Sequence, residues 1–158
     1  MNPPEPEDAY PSRMTQINVS VRIAAPVARV WKEAADLGSH AEWMAEAESI
    51  VFQSEQRSGV GTRMTVSTKV GPLRTHDIME VIGWNEGQSI AVRHEGLVTG
   101  EGIFILSPHG EETVFTWSER LKFPWYFGGR LTARAAAVVL RRIWRNNLER
   151  FRRRVESS

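Results

Sequence analysis

The chain contains no cysteine at any of its 158 positions. This absence excludes a disulfide scaffold, metal sites built from thiolates and catalysis by a cysteine nucleophile. A chain without cysteine is also compatible with the reducing cytoplasm, which is the location we expect.

Long apolar runs are missing as well. No stretch of about 18 or more uninterrupted apolar residues occurs, so we expect no transmembrane helix and no stable membrane insertion. Residues 1–13 have neither a basic start nor an apolar segment, and they do not look like a secretory signal. Their four prolines and three acids predict a disordered tail, followed by a single domain at 14–156.

Net charge is almost absent, at +1, but the positive charge is unevenly placed. Between Arg130 and Arg154, nine arginines accompany a single acid, Glu149. We interpret them as a solvated helix face whose arginine stems lie along the surface. Contact with anionic lipid or an acidic ligand is an alternative. No basic strand interleaved with aromatic residues accompanies them, so we expect no nucleic-acid partner.

Hydrophobic periodicity predicts the elements. Alternation predicts a first strand at 15–23, and helical spacing predicts a short helix at 26–36, with one further turn at 40–44. Turn signals such as Gly71-Pro72 then separate six further predicted strands, at 49–55, 62–70, 73–84, 89–95, 98–107 and 113–121. The stretch 130–155 has no proline or glycine, and its apolar residues recur at helical steps, which predicts a long helix.

This order predicts an α+β fold, in which a curved antiparallel seven-stranded sheet wraps around a long C-terminal helix. A β-sandwich would not need the helix. A doubly wound fold would need helices between the strands.

Four sequence segments and the arginine-rich closing helix carry a resemblance to a known family. The segments are VSVRIAAPVARVWKEAADLGSHAEW at 19–43, GVGTRMTV at 59–66, IMEVIGWNEGQSIAV at 78–92 and GEGIFILSPHGEETVFTWSERL at 100–121. Over about residues 15–155 the chain resembles the START-like, helix-grip (SRPBCC) superfamily, in its polyketide cyclase/dehydrase and lipid-transport branch. The resemblance implies a deep cavity between sheet and helix that binds an apolar small molecule. Some members catalyse ring closure or dehydration, and others carry lipids, quinones or sterols.

Strand alternation predicts which side chains face that cavity. In the 73–84 strand the parity is ambiguous, and we favour Asp77, Met79 and Val81 inward because Glu80 is a poor core residue. A single-residue bulge would reverse that choice. The candidate ligand-binding residues are Trp43, Met64, Val66, Thr68, Asp77, Met79, Phe104, Phe115, Trp117, Trp125, Leu131 and Ala135.

The six tryptophans divide into two groups. Trp31, Trp84 and Trp144 are interpreted as core or hinge packing. Trp117 lies on the predicted inner face, while Trp43 and Trp125 lie in connections that could border the mouth. Aromatic borders suit flat apolar ligands, with plain packing as the alternative.

Glu119 and His94 are the candidate catalytic pair, because both are predicted to face inward among apolar neighbours. A carboxyl–imidazole pair in an apolar pocket can perform general acid–base chemistry. The alternatives are a structural pair, to which Arg134 or Arg142 could contribute, and a polar anchor for a ligand head group. The four histidines lack metal-site spacing, so we expect neither a metal nor a cofactor.

The leading functional hypothesis is therefore binding of an apolar aromatic, polyketide-like or lipid-like molecule in the cavity. A polyketide aromatase/cyclase or dehydratase acting through Glu119 and His94 is the second hypothesis. A ligand-sensing regulatory or interaction module is the third. The sequence leaves a homodimer open.

Overall fold

A computed structural model describes residues 14–124 and 129–158, with the side chains of the final helix described from residue 134 onward. The predicted tail at 1–13 lies outside the described residues. The seven strands are β1 (Met14–Ile23), β2 (Ala47–Phe52), β3 (Arg63–Val70), β4 (Leu73–Asn85), β5 (Ser89–Glu95), β6 (Thr99–His109) and β7 (Glu112–Lys122). The helices are α1 (Val27–Ala34), a short 3-10 helix (Leu37–Glu42) and α2 (Gly129–Glu156).

All seven strands form one antiparallel sheet in the order β1-β7-β6-β5-β4-β3-β2. Strands β2 to β7 follow one another as hairpins, and the chain returns β7 to the side of β1. The predicted fold class, a helix-grip arrangement of a curved sheet with a C-terminal helix, is confirmed. No helix among the described residues is both long enough and apolar enough to cross a bilayer.

The turn predicted at Gly71-Pro72 joins β3 to β4. Gly71 has a φ of +58°, in the left-handed region that favours glycine. The residues on either side, Val70 and Leu73, pair directly across this hairpin. The turn thereby sets the register that places one alternating set of β3 and β4 side chains on the inner face.

The C-terminal half of α2 closes one end of the molecule. Its buried apolar residues recur every three or four positions and form one stripe, which consists of Trp144, Leu148, Phe151 and Val155. The earlier turns of the helix are different, because Val138 and Val139 are 64% and 50% exposed. The helix therefore seals the core at its C-terminal end, whereas the valines of its earlier turns are not covered.

Candidate functional site

A cavity of about 460 Å³ lies between the inner face of the sheet and α2. Most of its wall is aliphatic or aromatic, with contributions from β2 to β7, the 3-10 helix and α2. A minority of polar side chains interrupts this wall: His40, Glu46, Thr68, Thr75, Asp77, His94 and Glu119. An apolar pocket with a few convergent polar groups is the usual form of a small-molecule site.

Most of the residues singled out from the sequence lie in the cavity wall. Those that line it are Met64, Val66, Thr68, Asp77, Met79, Phe104, Trp117 and Ala135, together with His94 and Glu119. In β4 it is the set containing Asp77 and Met79 that faces inward, while Val81 on the same face is fully buried. Trp125 and Leu131 lie outside the residues whose side chains are described.

Two of the candidates do not line the cavity, and their expected positions are corrected. Trp43 is only 2% exposed and packs against Phe151 at a centroid distance of 5.0 Å. Phe115 is fully buried and contacts Phe151 at 4.9 Å. Both rings belong to the solid end of the core because the C-terminal half of α2 covers them. Strand parity and a place in a connection could not reveal that cover.

The other tryptophans are divided between the cavity wall and packing positions away from it. Trp144, predicted to have a packing role, is buried and also forms part of the cavity wall, where it stacks on Trp117 at 5.0 Å. Trp31 and Trp84 lie elsewhere and donate their indole N–H groups to the two oxygens of Glu86, at 2.8 and 2.9 Å. These last two are packing residues, as expected.

Glu119 and His94 come together in the cavity wall. Nε2 of His94 lies 3.5 Å from Oε1 of Glu119, and their side chains are 15% and 5% exposed. The same Oε1 accepts a hydrogen bond from Trp117 Nε1 at 2.9 Å. Arg134 and Arg142, considered as partners for Glu119, are exposed. The carboxylate is therefore held by an indole and faces an imidazole.

The pKa of His94 reflects two opposing influences. Burial lowers it, whereas contact with Glu119 and the charges of Glu119 and Asp77 raise it, and the net result is a raised pKa. His94 Nε2 is buried and makes no hydrogen bond of good geometry with the described residues. Glu119 and Asp77 therefore stabilise the charged form of the ring within the cavity wall.

Gly102 makes room for the carboxyl group. A Cβ atom at this position would lie 3.0 Å from both Cγ and Oε1 of Glu119. Gly102 pairs with Glu119 across β6 and β7 and itself lines the cavity. A side chain here would press on the carboxyl group that the indole holds.

Asp77 has a structural task as well as a place in the wall. Its two oxygens accept hydrogen bonds from the Thr75 hydroxyl at 2.7 Å and the Leu97 backbone N–H at 2.9 Å. It thereby fixes the connection between β5 and β6 at one end of the cavity. Its negative charge also acts on His94.

Besides Thr75, which donates a hydrogen bond to Asp77, two polar residues of the wall were not singled out from the sequence. His40, in the 3-10 helix, is 6% exposed, and burial lowers its pKa to about 4. Its Nε2 donates a hydrogen bond to the Ala34 carbonyl at 2.8 Å, which acts in the opposite direction without cancelling the fall. Glu46, just before β2, is held by Asn147 of α2 at 2.7 Å. Both lie in connections without periodicity, and only the packing of α1 and α2 buries them.

The arrangement is suited to holding a small apolar molecule and to moving a proton at one polar position. Among the residues that the structure describes, no group of three or more side chains of the metal-binding types comes together. The polar side chains that the wall contains offer carboxyl, imidazole and hydroxyl groups in apolar surroundings.

Solved structures share this architecture. A protein from Thermus thermophilus superimposes with a TM-score of 0.79 at 21% identity, covering 90% of this chain and 98% of the other. An aromatase/cyclase from Streptomyces sp. R1128 superimposes with a TM-score of 0.76 at 16% identity, covering 91% and 94%. A START superfamily protein from Mycobacterium smegmatis gives 0.73 at 15%, covering 90% and 97%. At these identities the likeness shows the fold alone.

Sequence comparison is more specific about the family. No curated protein sequence matches the chain. Residues 14–156 match the family described as "Polyketide cyclase / dehydrase and lipid transport". This match covers nearly all of the folded part, and it agrees with the sheet, the long helix and the cavity between them. The chain therefore belongs to the polyketide cyclase/dehydrase and lipid-transport family.

Proposed function

We propose that the protein binds an apolar small molecule, of aromatic, polyketide-like or lipid-like character, in the cavity between the sheet and α2. The observation that carries the proposal is the cavity itself, about 460 Å³ in volume and lined mainly by apolar side chains. Membership of a family described by polyketide cyclisation and lipid transport supports the same class of ligand.

The energy of an empty cavity supports this proposal. Leaving 460 Å³ dry and vacant would cost about 11 kcal/mol at roughly 24 cal/mol per Å³. That cost is comparable to the whole free energy of unfolding of a typical domain, about 5–15 kcal/mol. The space is therefore filled by water or by a ligand. An apolar ligand gains free energy by leaving water for such a wall.

A thermal-shift screen with apolar fluorescent dyes and hydrophobic small molecules tests the proposal. A ligand that binds only the folded state raises the melting temperature as its concentration increases. Native mass spectrometry of the purified protein would show in addition whether a small molecule accompanies it. The proposal fails if no apolar compound in the screen changes the melting temperature.

Neighbouring positions on β3 provide a matched control. Thr68→Phe places a large ring in the cavity, whereas Lys69→Phe places the same ring on the opposite, exposed face. We expect Thr68→Phe to abolish dye binding and Lys69→Phe to preserve it. Equal loss of binding in both variants would place the binding site elsewhere.

The second candidate function is catalysis of dehydration or aromatic ring closure, and the Glu119–His94 pair favours it. In a dehydration, the pair would take a proton from the carbon next to a ketone and return a proton to the departing hydroxyl group, which leaves as water. The apolar wall keeps the acid and base strong by excluding bulk solvent. The fold it shares with an aromatase/cyclase is compatible with this chemistry.

Glu119→Gln distinguishes an enzyme from a binding protein. With an aromatic β-hydroxyketone as the probe, we expect the variant to lose formation of the unsaturated ketone while still binding the compound. Glu101→Gln, on the exposed face of β6, is the control and should behave like the wild type. Wild-type protein that binds the probe without converting it would leave binding as the function.

A further inference from the structure

Glu46 occupies a defined position in the cavity wall, although it lies in a connection. Its backbone carbonyl accepts a hydrogen bond from the Lys69 N–H of β3 at 2.8 Å, which holds the main chain against the sheet. The residue lines the cavity, and its carboxyl group accepts a hydrogen bond from Asn147 of α2. The residue therefore joins the edge of the sheet to the helix that covers the cavity.

The side chain of Asn147 is fixed by two contacts. It is fully buried, and its Oδ1 accepts the Ala45 backbone N–H at 3.1 Å. Because an N–H can only donate, the amide oxygen must face Ala45, and the amide nitrogen must face Glu46. Asn147 Nδ2 accordingly donates to Glu46 Oε2 at 2.7 Å.

This orientation determines where a proton on Glu46 would lie. Oε2 already accepts from Asn147, so the acid proton is best placed on Oε1. Oε1 accepts no side-chain hydrogen bond from the residues that the structure describes. In its neutral form Glu46 therefore presents an O–H donor that no described side chain uses.

The surroundings favour that neutral form. Burial raises the pKa of Glu46, and the charge of Glu119 raises it further. The hydrogen bond from Asn147, the residue's own backbone N–H and the charge of Arg150 act in the opposite direction without cancelling the rise. The other titratable groups in the wall are His40, Asp77 and His94.

We propose that Glu46 acts as a hydrogen-bond donor that selects apolar ligands carrying a carbonyl group, an inference that rests on the proposed binding function. A carbonyl oxygen accepts a hydrogen bond from the O–H but would be repelled by a carboxylate. Glu46 adjoins β2, whereas Glu119 and its indole donor lie on β7, with four strands between these two in the sheet. The preferred ligand therefore has a carbonyl group at one position and a second polar group at the His94–Glu119 position.

The experiment compares two naphthalene dyes, of which one has a carbonyl group and the other does not. The first, 6-propionyl-2-(dimethylamino)naphthalene, carries a ketone, and the second, N-phenyl-1-naphthylamine, has no carbonyl group. Fluorescence titrations at about pH 5, close to the ordinary carboxyl range, and at about pH 8, well above it, test for loss of a proton from Glu46, whose pKa is raised. Circular dichroism at both pH values checks that each protein remains folded.

We expect wild-type affinity for the ketone dye to fall about three- to tenfold between the two pH values, the effect of one net hydrogen bond. Affinity for the second dye should change much less. Glu46→Gln supplies an uncharged N–H donor at every pH, so it should retain the stronger ketone binding at about pH 8. Glu46→Leu has no donor, so its ketone binding should be weak at both pH values.

Each result separates the two proposals. If both dyes bind and Glu46→Gln keeps the wild-type pH dependence, the titrating group is another one, such as His94, and the role of Glu46 is refuted while the binding function stands. The role of Glu46 is also refuted, and the binding function stands, if both dyes lose affinity equally between about pH 5 and about pH 8. If neither dye binds the wild type, the binding function fails and this inference fails with it.

Discussion

Substitution of Gly102 by alanine tests whether position 102 must lack a side chain because the Glu119 carboxyl group occupies that space. The added Cβ would lie 3.0 Å from Cγ and Oε1 of Glu119, whereas carbon atoms in contact prefer about 3.5–4.0 Å. The carboxyl group must then give way by a few tenths of an ångström. Strand β6 already pairs with β7 here, so the backbone has little freedom to retreat.

That displacement is large enough to disrupt a hydrogen bond. Trp117 Nε1 and Glu119 Oε1 are 2.9 Å apart, and an increase of about 0.3 Å in their separation already reaches the usual limit of about 3.2 Å. An unsatisfied buried polar group costs about 1–3 kcal/mol. We therefore expect Gly102→Ala to lower the free energy of unfolding by about that amount.

A double-mutant cycle isolates the cause. Glu119→Ala removes the atoms that the new Cβ would meet, so Gly102→Ala made in that background should be nearly neutral or slightly stabilising. Urea unfolding of the four proteins, followed by tryptophan fluorescence and circular dichroism, gives the coupling energy. If Gly102→Ala costs the same in both backgrounds, the glycine is needed for another reason and the reasoning is refuted.

Three further predictions concern the pH response and the core. Glu119→Gln leaves burial as the main influence on His94, so NMR titration should show a lower pKa for His94 than in the wild type. In the wild type, the raised pKa of His94 adds stability that is fully present below about pH 6.5, the pKa of histidine in the unfolded chain. This stability is lost as the pH rises through the pKa of His94 in the folded protein. Glu119→Gln should not show this loss in urea unfolding. His40 acts in the opposite direction. Its pKa of about 4 against 6.5 unfolded predicts a loss of about 3 kcal/mol as pH falls through that interval, which His40→Gln should reduce in acid unfolding curves. Phe151→Ala removes a fully buried ring that meets two other aromatic rings at about 5 Å and should cost about 3–5 kcal/mol in urea unfolding, whereas a cost below about 1 kcal/mol would contradict the assigned core position.

The strands and their inner faces could be predicted because the side-chain period of a strand is a local property. Alternation placed Met64, Val66 and Thr68 on one face of β3, and all three line the cavity. It also placed His94 and Glu119 on inner faces of strands that do not adjoin. Their meeting follows from the order of the sheet, in which β6 alone separates β5 from β7.

Residues in connections could not be placed in the same way. Trp43 follows the 3-10 helix, and nothing in the sequence around it shows that Phe151, more than one hundred positions later, will cover it. Glu46 is a similar case, because its burial depends on Asn147 of α2. In both cases a long-range contact determines whether the side chain borders the cavity or the solid core.

By itself the sequence determined the order of the elements, the antiparallel sheet, the long closing helix and the alternating faces, because these follow from local periodicity and turn chemistry. Only the tertiary structure decided where α2 touches the sheet and where it stands away from it. Where α2 stands away from the sheet, the cavity forms, with Glu46, His94 and Glu119 in its wall. Where α2 touches the sheet, it buries Trp43 and Phe115. The physical reason is that the position of a helix over a sheet depends on the summed packing of side chains far apart in the chain, which no local pattern contains.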